Sequence, residues 1–156
     1  METSDVGDVV RLTDTYAKIA PAAVAAMGQT HRYLHDAWPD KRLQALVEMR
    51  VSQINGCAYC MDMHATQARA AGESQQRLDV LPGWRETDFF NDREKLALEW
   101  AEAITLQNQH HIPEGLLERV SAAFSEKEVV DLTVIIAMMN AWNRLAVPLH
   151  KSIGRR

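Results

Sequence analysis

The chain has 156 residues, 47% of them apolar and 24% charged, which suits one domain around a single core and is crowded for two. Seventeen Lys and Arg against twenty-one Asp and Glu leave a formal charge of −4 with no basic block to track a phosphate backbone, so nucleic acid is not expected as a partner. Apolar runs such as Val134 to Met139 are far shorter than the roughly 18 residues of a membrane span, and METSDVGDVVRL is not built like a signal peptide; a soluble, cytoplasmic protein without a membrane partner is expected.

Seven Gly and five Pro are few for this length, while the good helix formers abound, so the chain is expected to be all-α. A first amphipathic helix is predicted from about Asp8 to Ile19. Pro21, with its φ preset for a first turn, opens a second that ends near Trp38, before Pro39. Asp40 caps a third, KRLQALVEMRVSQI, in which Leu43, Leu46, Val47, Val51 and Ile54 recur at helical spacing until Asn55-Gly56 breaks it. A fourth runs from Cys57 to Ala71, with Gly72 at the left-handed position beyond its end. Ser74 caps a short helix that stops before Pro82-Gly83. Asn91 and Glu94 form a capping-box pattern ahead of an apolar stripe at Leu96, Trp100, Ala103 and Ile104, predicting a helix to about Gln107. Pro113 opens another short one, and Ser125 with Glu128 starts a last helix from roughly Glu126 to His150. That helix is apolar on most sides, as expected of a central or interface element. About seven helices joined by short loops imply a helical bundle.

Chemistry concentrates in RVSQINGCAYCMDMH, residues 50 to 64. At about 100° per residue, Cys57, Cys60 and His64 lie within about 60° of one another on one helix face. Unpaired N–H groups and the positive dipole end at a helix start favour thiolate over thiol. The C-x-x-C spacing lets one sulfur react and the other resolve it as a disulfide. His64 can accept the thiol proton and return one to a leaving oxygen. Glu48, on the preceding helix, is the nearest carboxylate able to orient that imidazole.

Other readings stand beside this one. Both cysteines and His64 could be buried core residues, or two thiolates and an imidazole could hold zinc with a fourth ligand from His31, His35, Asp62, His110 or His111. His110 and His111 otherwise read as solvated loop residues, and Met61 and Met63 as packing. Trp84, Phe89 and Phe90 are core candidates that could also wall an apolar pocket, and Tyr59 could lend a hydroxyl to the site.

At these residues the sequence resembles the AhpD-like alkylhydroperoxidase family of the carboxymuconolactone decarboxylase superfamily. The resemblance runs from RVSQINGCAYCMDMH and ARAAGE through WRETDFF and REKLALEWAEAIT to FSEKEVVDLTVIIAMMNAWNRLAV. It implies an all-helical domain over 1–156 with the redox core at about 40–105. It also implies a homo-oligomer, trimer or hexamer, and reduction of a hydroperoxide substrate by a C-x-x-C pair that an unidentified dithiol reductant restores, without a cofactor or metal. By position, Cys60 resembles the peroxide-attacking cysteine, Cys57 the resolving one and His64 the proton-relay histidine. The relay glutamate of many members falls at Ala45 here; Glu48, three residues on and on the same helix face, is the substitute. Tyr59 stands where the best-studied type carries a histidine. The competing functions are a lactone decarboxylase, which needs no dithiol, and a non-enzymatic redox-responsive oligomer in which Asn140, Asn143 and Arg144 give an interface its polar specificity.

Overall fold

The computed structural model describes residues 15–155, and among them the secondary structure is entirely helical. Eight α-helices follow in order: α1 (Tyr16–Ile19), α2 (Pro21–Ala37), α3 (Lys41–Ile54), α4 (Ala58–Ala70), α5 (Gln75–Val80), α6 (Asp92–Thr105), α7 (Leu116–Ala123) and α8 (Glu126–Ala146). A 3-10 helix, Leu81–Glu86, joins α5 to the loop before α6. The predicted first helix lies largely outside the described residues; its last turn is α1.

The helix starts follow from their caps. Asp40 accepts the Leu43 N–H at 3.0 Å, and reciprocal capping boxes form at Asn91 with Glu94 and at Ser125 with Glu128. Three boundaries differ from the sequence reading. Pro113 does not open α7: its carbonyl is taken by Leu116 N in a turn, and Gly115, at φ +74, is the residue before the helix. α6 stops at Thr105 rather than Gln107, where Leu106 leaves helical geometry and the chain turns. α8 ends as a regular helix at Ala146, because Pro148 has no N–H to donate. One irregular turn follows, closed by His150 at φ +57 and by Lys151 N–H on Ala146 O at 2.9 Å.

α3 is the hub. Nine of its residues are buried, so it is covered on nearly every side. Leu43, Val47 and Val51, four apart, join a cluster with Trp38 of the α2 cap, Ala97 and Ala101 of α6, Leu116 and Val120 of α7, and Leu132, Ile135, Ile136 and Met139 of α8. Ala45, Leu46 and Met49 face a second cluster with Ala68, Leu78, Leu81, Trp84, Phe90 and Leu98. Trp84 and Phe90 are thus core residues, and Phe89 is exposed. Met61 packs on the second cluster, as the default reading had it.

α8, with a hydropathy of 1.2, is long and apolar enough by composition to cross a membrane. In this fold it packs against α2, α3, α6, α4 and α7. Its polar residues serve the chain itself: Asn55 Nδ2 donates to Asn140 Oδ1 and Asn143 Oδ1, both at 2.9 Å, and Asn143 Nδ2 donates to Ser52 Oγ at 3.2 Å. Within the chain, Asn140 and Asn143 anchor the end of α3.

Candidate active site

α3 reverses into α4 over three residues, Asn55, Gly56 and Cys57. Gly56 sits at φ +66, a conformation that disfavours any residue with a Cβ, and Cys57 N–H bonds back to Ser52 O at 3.0 Å. This closure sets Cys57 as the N-cap of α4, where its sulfur accepts the Cys60 N–H at 3.3 Å. The two cysteines are joined as a disulfide, and both are buried.

One turn further, His64 is fully buried. Its Nδ1 lies 3.2 Å from Glu48 Oε2 and 2.9 Å from Gln67 Oε1, both acceptors. Nδ1 therefore carries the proton, and the lone pair of the neutral ring is on Nε2. Nε2 itself is buried without a hydrogen-bond partner among the described residues. Glu48 is fixed in turn by Gln44, whose Nε2 donates to Oε1 at 3.1 Å. Burial opposes the charged form of Glu48, but the hydrogen bond and charge of His64, the charge of His31 and the Gln44 amide outweigh it and hold the carboxyl below its ordinary 4.5.

A cavity of about 230 Å³ opens on this group, lined by Cys60 and His64 but not by Cys57. Most of its wall is apolar: Met63, Met139, Trp142 and Ala146, with Tyr16 and Tyr59. A second cleft, of about 350 Å³, reaches Glu48 and Gln67 from among His35, Lys41 and Gln44; His31 lines both spaces. All four sequence candidates, Cys57, Cys60, His64 and Glu48, are thus brought together. Ala45, the position of the family's relay glutamate, is core, and Glu48 one turn on is the carboxylate that meets the imidazole. His110 and His111 are exposed and do not line the cavity, and among the described residues no group of three His, Cys, Asp or Glu side chains is placed to hold a metal ion.

The profile of the Carboxymuconolactone decarboxylase family matches residues 19–103, which span α2 to most of α6 and contain the whole Glu48–Cys57–Cys60–His64 group. The chain belongs to this family. Within it the chain is AhpD-like: it is 34% identical to a protein of unknown function from Agrobacterium tumefaciens named as a candidate antioxidant defence protein AhpD, with a TM-score of 0.86 over 90% of this chain and 97% of that one. The uncharacterised protein YdfG of Bacillus subtilis is 39% identical over 86% of this chain and 92% of its own length. The debrominase Bmp8, solved with 2,3,4-tribromopyrrole, shares the fold at 20% identity and a TM-score of 0.73 over 88% of this chain and 73% of that one.

In this carboxymuconolactone decarboxylase-family chain, sequence reasoning missed Gln67 and the far wall of the cavity. Gln67 carried a usable signal, since it lies three residues after His64 and so on its face. Met139, Trp142 and Lys151 carried none, being about eighty residues away in the chain and placed only by the packing of α8.

Proposed function

We propose that the protein is a thiol-dependent peroxidase that reduces hydroperoxides through Cys60 and Cys57. The observation that carries this reading is the asymmetry of the disulfide: Cys60 lines the cavity beside His64, and Cys57 stands behind it at the helix cap. In the reduced protein, His64 Nε2 takes the Cys60 proton, and the thiolate attacks the terminal oxygen of the hydroperoxide. The O–O bond breaks, Cys60 becomes a sulfenic acid, and His64 returns the proton to the departing alkoxide, which leaves as the alcohol. The Cys57 sulfur then attacks the Cys60 sulfur, water leaves, and the disulfide closes. One hydroperoxide and two thiols have given one alcohol, one water and one disulfide.

An external dithiol reopens the pair. Its thiolate attacks the cavity-facing Cys60, Cys57 leaves as a thiolate favoured by the α4 N-terminus and the Cys60 N–H, and the donor's second thiol then displaces Cys60 from the mixed disulfide, leaving the donor oxidised. Glu48 and Gln67 act through His64 as positioning residues, holding the tautomer that exposes the Nε2 lone pair. The AhpD-like relative from Agrobacterium tumefaciens supports antioxidant chemistry in the same direction.

The test is steady-state turnover of cumene hydroperoxide with dithiothreitol as reductant. Cys60→Ser abolishes turnover, and with dithiothreitol removed Cys57→Ser permits one oxidation per chain that stops at the sulfenic acid. Unchanged turnover in Cys60→Ser refutes the mechanism.

A further inference from the structure

The wall of the cavity in front of Cys60 carries sulfur that the mechanism does not use. Met63, one turn beyond Cys60 on α4, and Met139, on α8, both line the space. Met63 promised only packing in the sequence. Met139 is 2% exposed overall, so a molecule held in the cavity lies against a side chain that bulk solvent hardly touches. Both cysteines are joined as a disulfide, and the cavity beside them still measures about 230 Å³. A space of about 150 Å³ accepts benzene, so this one holds a substituted ring. A hydroperoxide that enters before the reductant has reopened the pair meets no thiolate. The two thioethers are then the sulfur nucleophiles within its reach.

Resting on the peroxidase reading, we propose that Met63 and Met139 are oxidation sites, converted to sulfoxides by hydroperoxide that occupies the cavity while the Cys57–Cys60 disulfide waits for its reductant. The thioether sulfur attacks the terminal peroxy oxygen, and the O–O bond breaks. The proton on that oxygen passes to the departing alkoxide, which leaves as the alcohol, and the sulfur keeps the oxygen. One hydroperoxide and one methionine give one alcohol and one sulfoxide; the peroxide is reduced and the sulfur oxidised, and no other reactant enters. A sulfoxide is polar where the thioether was apolar. On a wall that Trp142 and Ala146 otherwise keep apolar, it weakens the seat of an apolar substrate body. Shortage of reductant therefore slows the enzyme through its own cavity, and sulfoxide reduction restores it.

The experiment exposes the full chain in its disulfide form, freed of reductant, to excess cumene hydroperoxide and reads each methionine by peptide mass spectrometry. Met27 and Met138 are internal references, since both are partly exposed and neither lines the cavity. Met63 and Met139 gain oxygen about tenfold faster than the references, because the cavity holds the peroxide against them. Cumyl alcohol, the product, slows oxidation of the cavity pair and leaves the references unaffected. Once the disulfide is reduced again with dithiothreitol, treated wild type shows a raised KM for cumene hydroperoxide, whereas the treated double variant Met63→Leu, Met139→Leu keeps its own untreated KM. Oxidation of Met27 and Met138 as fast as the cavity pair overturns the proposal, and so does a cavity pair indifferent to cumyl alcohol. A thiol count on reduced protein separates this inference from the reading it rests on. If the dithiol ignores cumene hydroperoxide while Met63 and Met139 still oxidise first, the peroxidase reading fails and the modification sites stand. If the dithiol is consumed and the cavity pair is not favoured, the reading stands and the modification sites fail.

Discussion

Because both neighbours of His64 Nδ1 are oxygens, the imidazole is held in one tautomer, with its basic nitrogen left for chemistry at Cys60. Glu48→Gln removes the charged acceptor that holds it there. We expect kcat/KM for hydroperoxide to fall by about 10–100-fold, the usual cost of losing such a supporting group; stopped-flow oxidation of the dithiol reads this, and an unchanged rate contradicts it. The same carboxylate has a pH signature. Its folded pKa lies below its ordinary 4.5, so the stability it contributes is complete above 4.5 and is lost as pH falls through the lower folded value. Urea midpoints should therefore show wild type ahead of Glu48→Gln at about pH 6, with the advantage shrinking below about pH 4. An advantage that stays constant into strong acid would assign it to packing instead. The cysteines and His64 were legible in the sequence because a C-x-x-C-x-x-x-H spacing puts three reactive groups on one helix face. Gln67 was harder to see because a neutral amide carries no chemistry of its own.

At the scale of elements, the turn between α3 and α4 places the chemistry. Gly56 at φ +66 lets Cys57 N–H reach Ser52 O, and Asn55 ties the same turn to Asn140 and Asn143 of α8. A Cβ at Gly56 would meet no atom within 4 Å, so the cost of Gly56→Ala is conformational and not steric. A left-handed residue with a Cβ costs roughly 1–2 kcal/mol, to be seen as a lower denaturant midpoint with an unchanged slope. No loss of stability would mean that the turn relaxes at no cost. Caps and breakers made most of these elements readable: Asp40, Asn91 and Ser125 start their helices as their side chains dictate. Pro113 misled because its fixed φ suits a turn as well as a first helical turn, and Gly115 decides for the turn. Pro148 carried the signal for the end of α8, since a residue without an N–H interrupts the ladder.

Across the whole molecule, two apolar clusters on opposite sides of α3 make the site. The first brings α8 against α3, and with it Met139, Trp142 and the closing turn at Lys151 as the far wall of the cavity. The second supports α4 from behind through Ala68 and Met61. Helical periodicity announced the bundle, but which helices meet is a property of packed surfaces and not of spacing, so the cavity was not legible. The fold leaves the reaction open, because the debrominase Bmp8 shares it; the buried Cys57–Cys60 pair beside His64 is what directs the reading to peroxide reduction. The most direct measurement is a count of free thiols in fully reduced protein, before and after one equivalent of cumene hydroperoxide under anaerobic conditions. The account predicts rapid loss of both thiols with one equivalent of alcohol formed. Two intact thiols with the hydroperoxide unconsumed would contradict it.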